Sequence, residues 1–320
     1  MTTTINPLRG IDASFSHYVE RQKLTARAHM DGNGLPDYAY TPDYELRKKL
    51  DAIPHFYSLS KKICATYVSR EMQIINQSGL AVGPNQFPDV YEIGRDCAKR
   101  LGIGIPNIYI LGSTELNAYT IAMDDVEPLI VIYSGIYERF TPGELRTVIG
   151  HECGHIHNQH GIYNIMANLL LQGGLGAAAA SGLSSLLLDP ILIGAKVALD
   201  AWSRAKEVSA DRAGMICCER IEDAHTAEAK FLYGAAFGEH TVDFAELEKQ
   251  LEMQMNNITR LEELDNSHPA TVRRIMAEKF FAECDLFYRW RPDLRTPGQV
   301  LRSKEETDAL CKKYINIVQE

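Results

Sequence analysis

The spacing of apolar residues changes period several times along the chain, and each change marks an element. From Tyr44 the spacing is helical, and a second helix is expected beyond Pro54, through HFYSLSKKICATYVSREMQIINQ. A third runs from Pro88 to Leu101, with Val90, Ile93 and Cys97 facing inward and Gly102 beyond its end. Three short runs rich in β-branched and aromatic residues follow: NIYIL (107–111), NAYTIA (117–122) and LIVIYS (129–134). The last is almost continuously apolar, which suits a strand covered on both faces or lying beside a helix. Residues 1–43 are weakly patterned, with helical spacing only from His17 to His29 and a Gly/Pro/Asp loop at 31–44.

The helical period returns in TPGELRTVIGHECGHIHNQHGIYNI (141–165). Pro142 suits the first helical position behind Thr141, and Glu144 stands where a capping box wants an acid. Inside this stretch His151-Glu152-Cys153-Gly154-His155 matches H-E-x-x-H. Residues four apart share a helix face, so both imidazoles can reach one metal ion. Glu152 is placed to take a proton from a metal-bound water. Five residues with two free positions make a weak pattern alone, and the rest of the chain decides its weight.

No charge occurs between His160 and Asp189, a stretch long enough for one membrane span. Asn164, Asn168, Gln172 and several Gly and Ser residues dilute it, and no Lys/Arg cluster flanks it. A buried helical hairpin turning near Asp189-Pro190 is therefore expected, in preference to membrane association through residues 161–200. The next helix, AWSRAKEVSADRAGMICC (201–218), carries Glu207 and Asp211 on one face. Such a pair is more often a solvated face, but the small residues around it suit close helix packing. Residues 221–264 read as charge-rich scaffold helix, and SHPATVRRIMAEKFF (267–281) as a helix with His268 at its entrance. The tail offers a loop and a final helix.

Charge and cysteine content narrow the class. A net charge of −9 without a Lys/Arg run argues against a nucleic-acid partner. The 7 cysteines lack any C-x-x-C and read as reduced thiols. The N-terminal residues show no apolar core of a secretory signal. A cytoplasmic, soluble protein is expected, with membrane association as the alternative.

A catalytic zinc site wants three protein ligands and an open position. The metzincin pattern would need glycine at position 158 and histidine at position 161, where Asn158 and Gly161 stand. Glu207 fits the other arrangement, in which a glutamate from a following helix completes the site. Asp211, one turn on, could then accept a hydrogen bond from the far nitrogen of a ligand histidine.

With these residues in view, the chain resembles the M48 family of zinc metallopeptidases, which includes the CAAX prenyl proteases and HtpX. The resemblance covers about residues 88–277 and rests on five ordered matches. These are the P-x-x-Y-x-I-x-x-x-C helix with P-N-I-Y-I, N-A-Y, the H-E-x-x-H core, E-x-S-A-D-x-A-G and S-H-P-x-x-x-x-R-I. It implies that His151, His155 and Glu207 hold Zn2+ and that Glu152 is general base and then proton donor. It further implies Asp211 as the acid behind a ligand, and Asn117 and Ala118 at the substrate-binding edge. His268 would stabilise the oxyanion, with Arg274 buttressing it. His160 matches a histidine the family often has, and helical geometry points it away from the metal face.

The expected fold is α+β and mainly α, a zincin-like domain with about three strands beside the H-E-x-x-H helix. The expected division is an N-terminal extension (1–60), a metallopeptidase domain (61–290) and a C-terminal loop and helix (291–320). The expected function is zinc-dependent endopeptidase action on peptide or unfolded protein through a Glu-activated, zinc-bound water. The alternative is a non-proteolytic zinc protein with a binding or chaperone-like role.

Overall fold

The computed structural model describes residues 29–30, 34–123, 126–171, 190–234, 243, 245–246, 249 and 271–315. Its first helices are α1 (Thr41–Asp51) and α2 (Phe56–Ser78), followed by the short strand β1 (Gly79–Ala81). Then come α3 (Pro88–Leu101), β2 (Asn107–Leu111), β3 (Ala118–Met123) and β4 (Val126–Tyr133). A short α4 (Ser134–Arg139) leads into α5 (Pro142–His157), α6 (Gly161–Leu171) and α7 (Pro190–Cys217). The chain continues through α8 (Ile221–Tyr233), α9 (Thr271–Ala282), α10 (Asp285–Trp290) and α11 (Lys304–Ile315). The expected helix at 17–29 lies almost wholly outside the described residues, as do residues 172–189 and most of 235–270.

Among the described residues the sheet has four strands in the order β1-β2-β4-β3, one more than the sequence predicts. β1 is only three residues long, too short to leave a period of two, and it pairs antiparallel with β2. β2 and β4 run parallel, and β3 closes the other edge antiparallel to β4. The central position of β4 explains its apolar run. Ile130 and Ile132 pack toward α3 and α5, while Leu129 and Val131 face the core that holds α2, α6 and Trp202.

α5 starts with the capping box expected of it. Thr141 Oγ1 accepts from the Glu144 amide at 3.3 Å, and Glu144 Oε2 accepts from the Thr141 amide at 2.7 Å. The helix packs on α7 through small residues. A Cβ at Gly154 would lie 2.6 Å from Ala213 Cβ and 3.0 Å from Ala210 Cα. Side chains on the two helices are thereby brought into one site.

α5 does not run on to residue 165; it ends at His157, and α6 begins at Gly161. The break is a Schellman turn with Gln159 in the left-handed region at φ 58. His160 N donates to His155 O at 3.0 Å and Gln159 N to Ile156 O at 3.1 Å. The usual glycine is absent, so the sequence hides the stop. α7 in turn starts at Pro190 and carries residues 190–200 and the Glu207/Asp211 face on one helix. Among the described residues, no helix is long and apolar enough to cross a membrane.

Candidate active site

Helices α5 and α7 bring His151, His155 and Glu207 together, with one ligand atom of each within 4.8 Å of the others. His151 Nε2 lies 3.4 Å from Glu207 Oε2, and His155 Nε2 lies 4.0 Å from Glu207 Oε1. Two imidazoles and a carboxylate, converging from one side, form a donor set suited to zinc. The residues present fit the ion.

Each imidazole is oriented from behind. His151 Nδ1 lies 2.9 Å from Asp211 Oδ1, and Asp211 also accepts from Arg274 Nε at 3.0 Å and Nη2 at 2.5 Å. Arg274 reaches Glu228 Oε1 at 2.9 Å as well, so it bridges two buried acids. His155 Nδ1 lies 2.8 Å from His160 Nδ1, and His160 Nε2 lies 2.9 Å from Asp43 Oδ2. The expectation that His160 points away from the metal face is thus corrected. It assumed one helix through residue 160, whereas the Schellman turn folds His160 back onto His155.

Glu152 is buried at the same cavity, and Thr120 Oγ1 donates to its Oε2 at 2.7 Å and lies 3.1 Å from its carbonyl oxygen. Thr120 went unnoticed in the sequence, where it is one more β-branched residue in a strand. Lys206 was also missed; its ammonium pairs with Glu207 Oε1 inside the site. Asn117 and Ala118 line the same cavity, of about 550 Å³, beside the outer edge of β3. Glu71 and Tyr67, from α2, line it as well, and Tyr119 on β3 donates to Glu71 Oε1 at 2.8 Å. His268 lies outside the described residues.

Charge in the site is uneven. Burial opposes protonation of His151, but Asp211 and Glu207 outweigh it and hold the imidazolium up to about 10. Burial and the Lys206 charge instead hold His155 well below its ordinary value, so its imidazole is neutral. Burial pushes the Glu152 carboxyl up, against the pull of His151 and Thr120. Asp211 is also disfavoured by burial, yet Arg274 and His151 keep it below its usual range. Glu228 is pushed up to about 7 by burial, against the pull of Arg274.

Known proteins resemble this chain in sequence. Arabidopsis thaliana "Plastoglobule-localized metallopeptidase 48, chloroplastic" is 28% identical over 184 residues, which are 57% of this chain and 52% of that protein. A "Protease HtpX homolog" of Bifidobacterium longum is 26% identical over 192 residues, 53% of this chain and 61% of its own length. One from Burkholderia ambifaria is 25% identical over 239 residues, 68% of this chain and 83% of its own. The first of these matches therefore spans about half of the relative's length. The crystal structure of S. mikatae Ste24p aligns loosely, with a TM-score of 0.38 at 16% identity, over 73% of this chain and 60% of that one. The model of "Peptidase family M48" matches residues 84–279, which hold every site residue named above except Asp43, Tyr67 and Glu71, and by that match the chain belongs to peptidase family M48.

Proposed function

We propose that the chain is a zinc-dependent endopeptidase. The observation that carries this reading is the convergence of His151, His155 and Glu207 beside a buried Glu152, on a cavity bordered by a strand edge. His151, His155 and Glu207 would hold the ion. Bound there, zinc supplies Lewis acidity, polarising the scissile carbonyl and lowering the pKa of a water.

The remaining chemistry belongs to the chain. Glu152 accepts the proton of the attacking water and returns it to the leaving amine, a role suited to a carboxyl raised by burial. Thr120 holds one carboxylate oxygen of Glu152, so the base keeps one orientation while it works. Asp211 fixes the His151 ring, and Arg274 fixes Asp211. An oxyanion donor at His268 rests on the sequence alone.

Among the described residues β3 pairs with β4 on one side only, and Asn117 to Thr120 line the cavity. An extended peptide adding to that edge would be read through its backbone, which suits peptide or unfolded protein substrates. The test is zinc per chain after dialysis together with casein cleavage, for the parent, Glu152→Gln and Glu207→Gln. Glu152→Gln is expected to keep zinc and lose about 10²–10⁴-fold in turnover, and Glu207→Gln to lose zinc itself. A parent that holds zinc and cleaves nothing would make the non-proteolytic alternative the better account.

A further inference from the structure

Asp43 stands on α1, outside the family-matched residues 84–279, yet it is buried and reaches the candidate ligand His155 through one side chain, His160. Among the described residues its carboxylate meets three donors. Trp202 Nε1 donates to Oδ1 at 2.9 Å, Ser209 Oγ donates to Oδ2 at 2.6 Å, and His160 Nε2 lies 2.9 Å from Oδ2. An ionised carboxylate only accepts, so His160 carries its proton on Nε2. When His155 ligates through Nε2 its own proton sits on Nδ1, so Nδ1 of His160 must be bare to receive it. That nitrogen lies 2.8 Å from His155 Nδ1, and such a contact needs one hydrogen between the two. His155 must supply it, which leaves the lone pair of His155 Nε2 facing Glu207. One acid, 117 residues from His160 along the chain, therefore selects the only tautomer of His155 that can ligate a metal through Nε2.

The turn between the two histidines is tied to the same helix. Arg47, also on α1, donates to the Asn158 carbonyl at 2.9 Å, at the point where α5 stops. Trp202 packs edge-on against His160, with ring centroids 5.5 Å apart. The two ligand histidines are thus oriented by different routes, His151 directly by Asp211 and His155 through His160 by Asp43.

We propose that Asp43 is a positioning residue for the metal, acting on His155 through His160, so that α1 is a working part of the metal centre. The proposal rests on His155 being a ligand, as the function proposed above requires. It predicts a chain of dependence that mere packing would not produce.

The test is titration of purified full-length apoprotein with zinc against a chromophoric chelator, and with cobalt followed by its visible absorption, well below the melting temperature. The variants are Asp43→Ala, Asp43→Asn, His160→Phe and the double variant Asp43→Ala/His160→Phe. Each single change is expected to weaken zinc binding about 10–100-fold and to alter the cobalt spectrum. The double variant should be no weaker than the weaker single, because both act through one path. Tyr163→Phe is the control. It removes a hydrogen bond from α6 to Asp51 on the same helix α1, and should lower the melting temperature while keeping the parent's zinc affinity. Parent-like zinc affinity in Asp43→Ala or, should that variant not fold, in Asp43→Asn would overturn the proposal. So would an equal loss in the control, which would reduce Asp43 to packing. A parent that binds no zinc would overturn the ligand assignment and the relay together. Cleavage is not part of this readout, so a parent that binds zinc without hydrolysing casein would fail the peptidase proposal alone.

Discussion

Thr120 Oγ1 on the edge strand donates to Glu152 Oε2 on α5 at 2.7 Å, joining the strand that borders the cavity to the buried acid proposed as its general base. Removing that donor should leave zinc bound and slow turnover. A hydrogen bond to a charged group is worth about 1.5–3 kcal/mol, so Thr120→Val is expected to lose roughly 10–100-fold in kcat. Its zinc content after dialysis should equal the parent's. Unchanged kcat in a folded, zinc-loaded Thr120→Val would show that Glu152 needs no such support.

Asp211 carries two jobs, holding His151 and pairing with Arg274. Asp211→Asn keeps the shape and removes the charge that holds the His151 ring. Zinc affinity should fall by about 10–100-fold, less than in Glu207→Gln. Competition against a chelator of known affinity measures both on one scale.

Zinc binding should be coupled to proton release. With no metal bound, Asp211 and Glu207 hold His151 up to about 10 against the opposing burial, so at neutral pH its ring is protonated. A ligand nitrogen must lose its proton to bind, so the apparent zinc affinity rises as pH rises toward that value. The expected slope is up to about tenfold per pH unit below it. Calorimetric zinc titrations in two buffers of different ionisation enthalpy count the protons released. A count of zero would refute the raised His151.

Gly154 occupies a free position of the H-E-x-x-H pattern, yet the structure leaves it no room. Its missing Cβ is what allows α5 to approach Ala210 and Ala213 on α7. Gly154→Ala should therefore destabilise by about 1–3 kcal/mol despite alanine's better helix propensity. Ala213→Gly added to it should recover part of the loss, because the 2.6 Å contact is with the Ala213 methyl. Thermal unfolding of the two variants and the parent decides this.

The buried pair Arg212–Asp308, at 2.6 Å, ties α7 to α11. Burial raises the Asp308 carboxyl, but Arg212 and Lys304 outweigh it and bring it down to about 2. A depressed acid contributes stability above its unfolded value near 3.8 and loses it as pH falls toward 2. The contribution at neutral pH is on the order of 2 kcal/mol. Asp308→Asn should accordingly be less stable than the parent at pH 7, with the gap narrowing below about pH 4. Denaturant melts across that range test it; a gap that does not narrow removes Asp308 from the acid response.

The sequence by itself determined much of the frame. Periodicity placed α3 from Pro88 to Leu101 and β2 from Asn107 to Leu111 at the observed limits, and Thr141 with Glu144 marked the start of α5. These are local effects: a helix stripe, a two-residue alternation and a cap are each written within a few neighbouring residues. Spacing also put His151 and His155 on one face, because a helix turn converts four positions of sequence into adjacency.

What the sequence could not contain was contact between distant segments. Asp43 looked like one acid in a loop, and Thr120 like one strand residue; each gained its place only when α1 and β3 closed on α5. Helical spacing points His160 away from the metal face, whereas Gln159 holds a left-handed turn without glycine, and a single changed φ redirects everything beyond it. Glu207 and Asp211 could equally have been a solvated pair. Packing of α7 on α5 buried them both, and burial turned two acids on a helix face into a candidate ligand and the residue that orients His151.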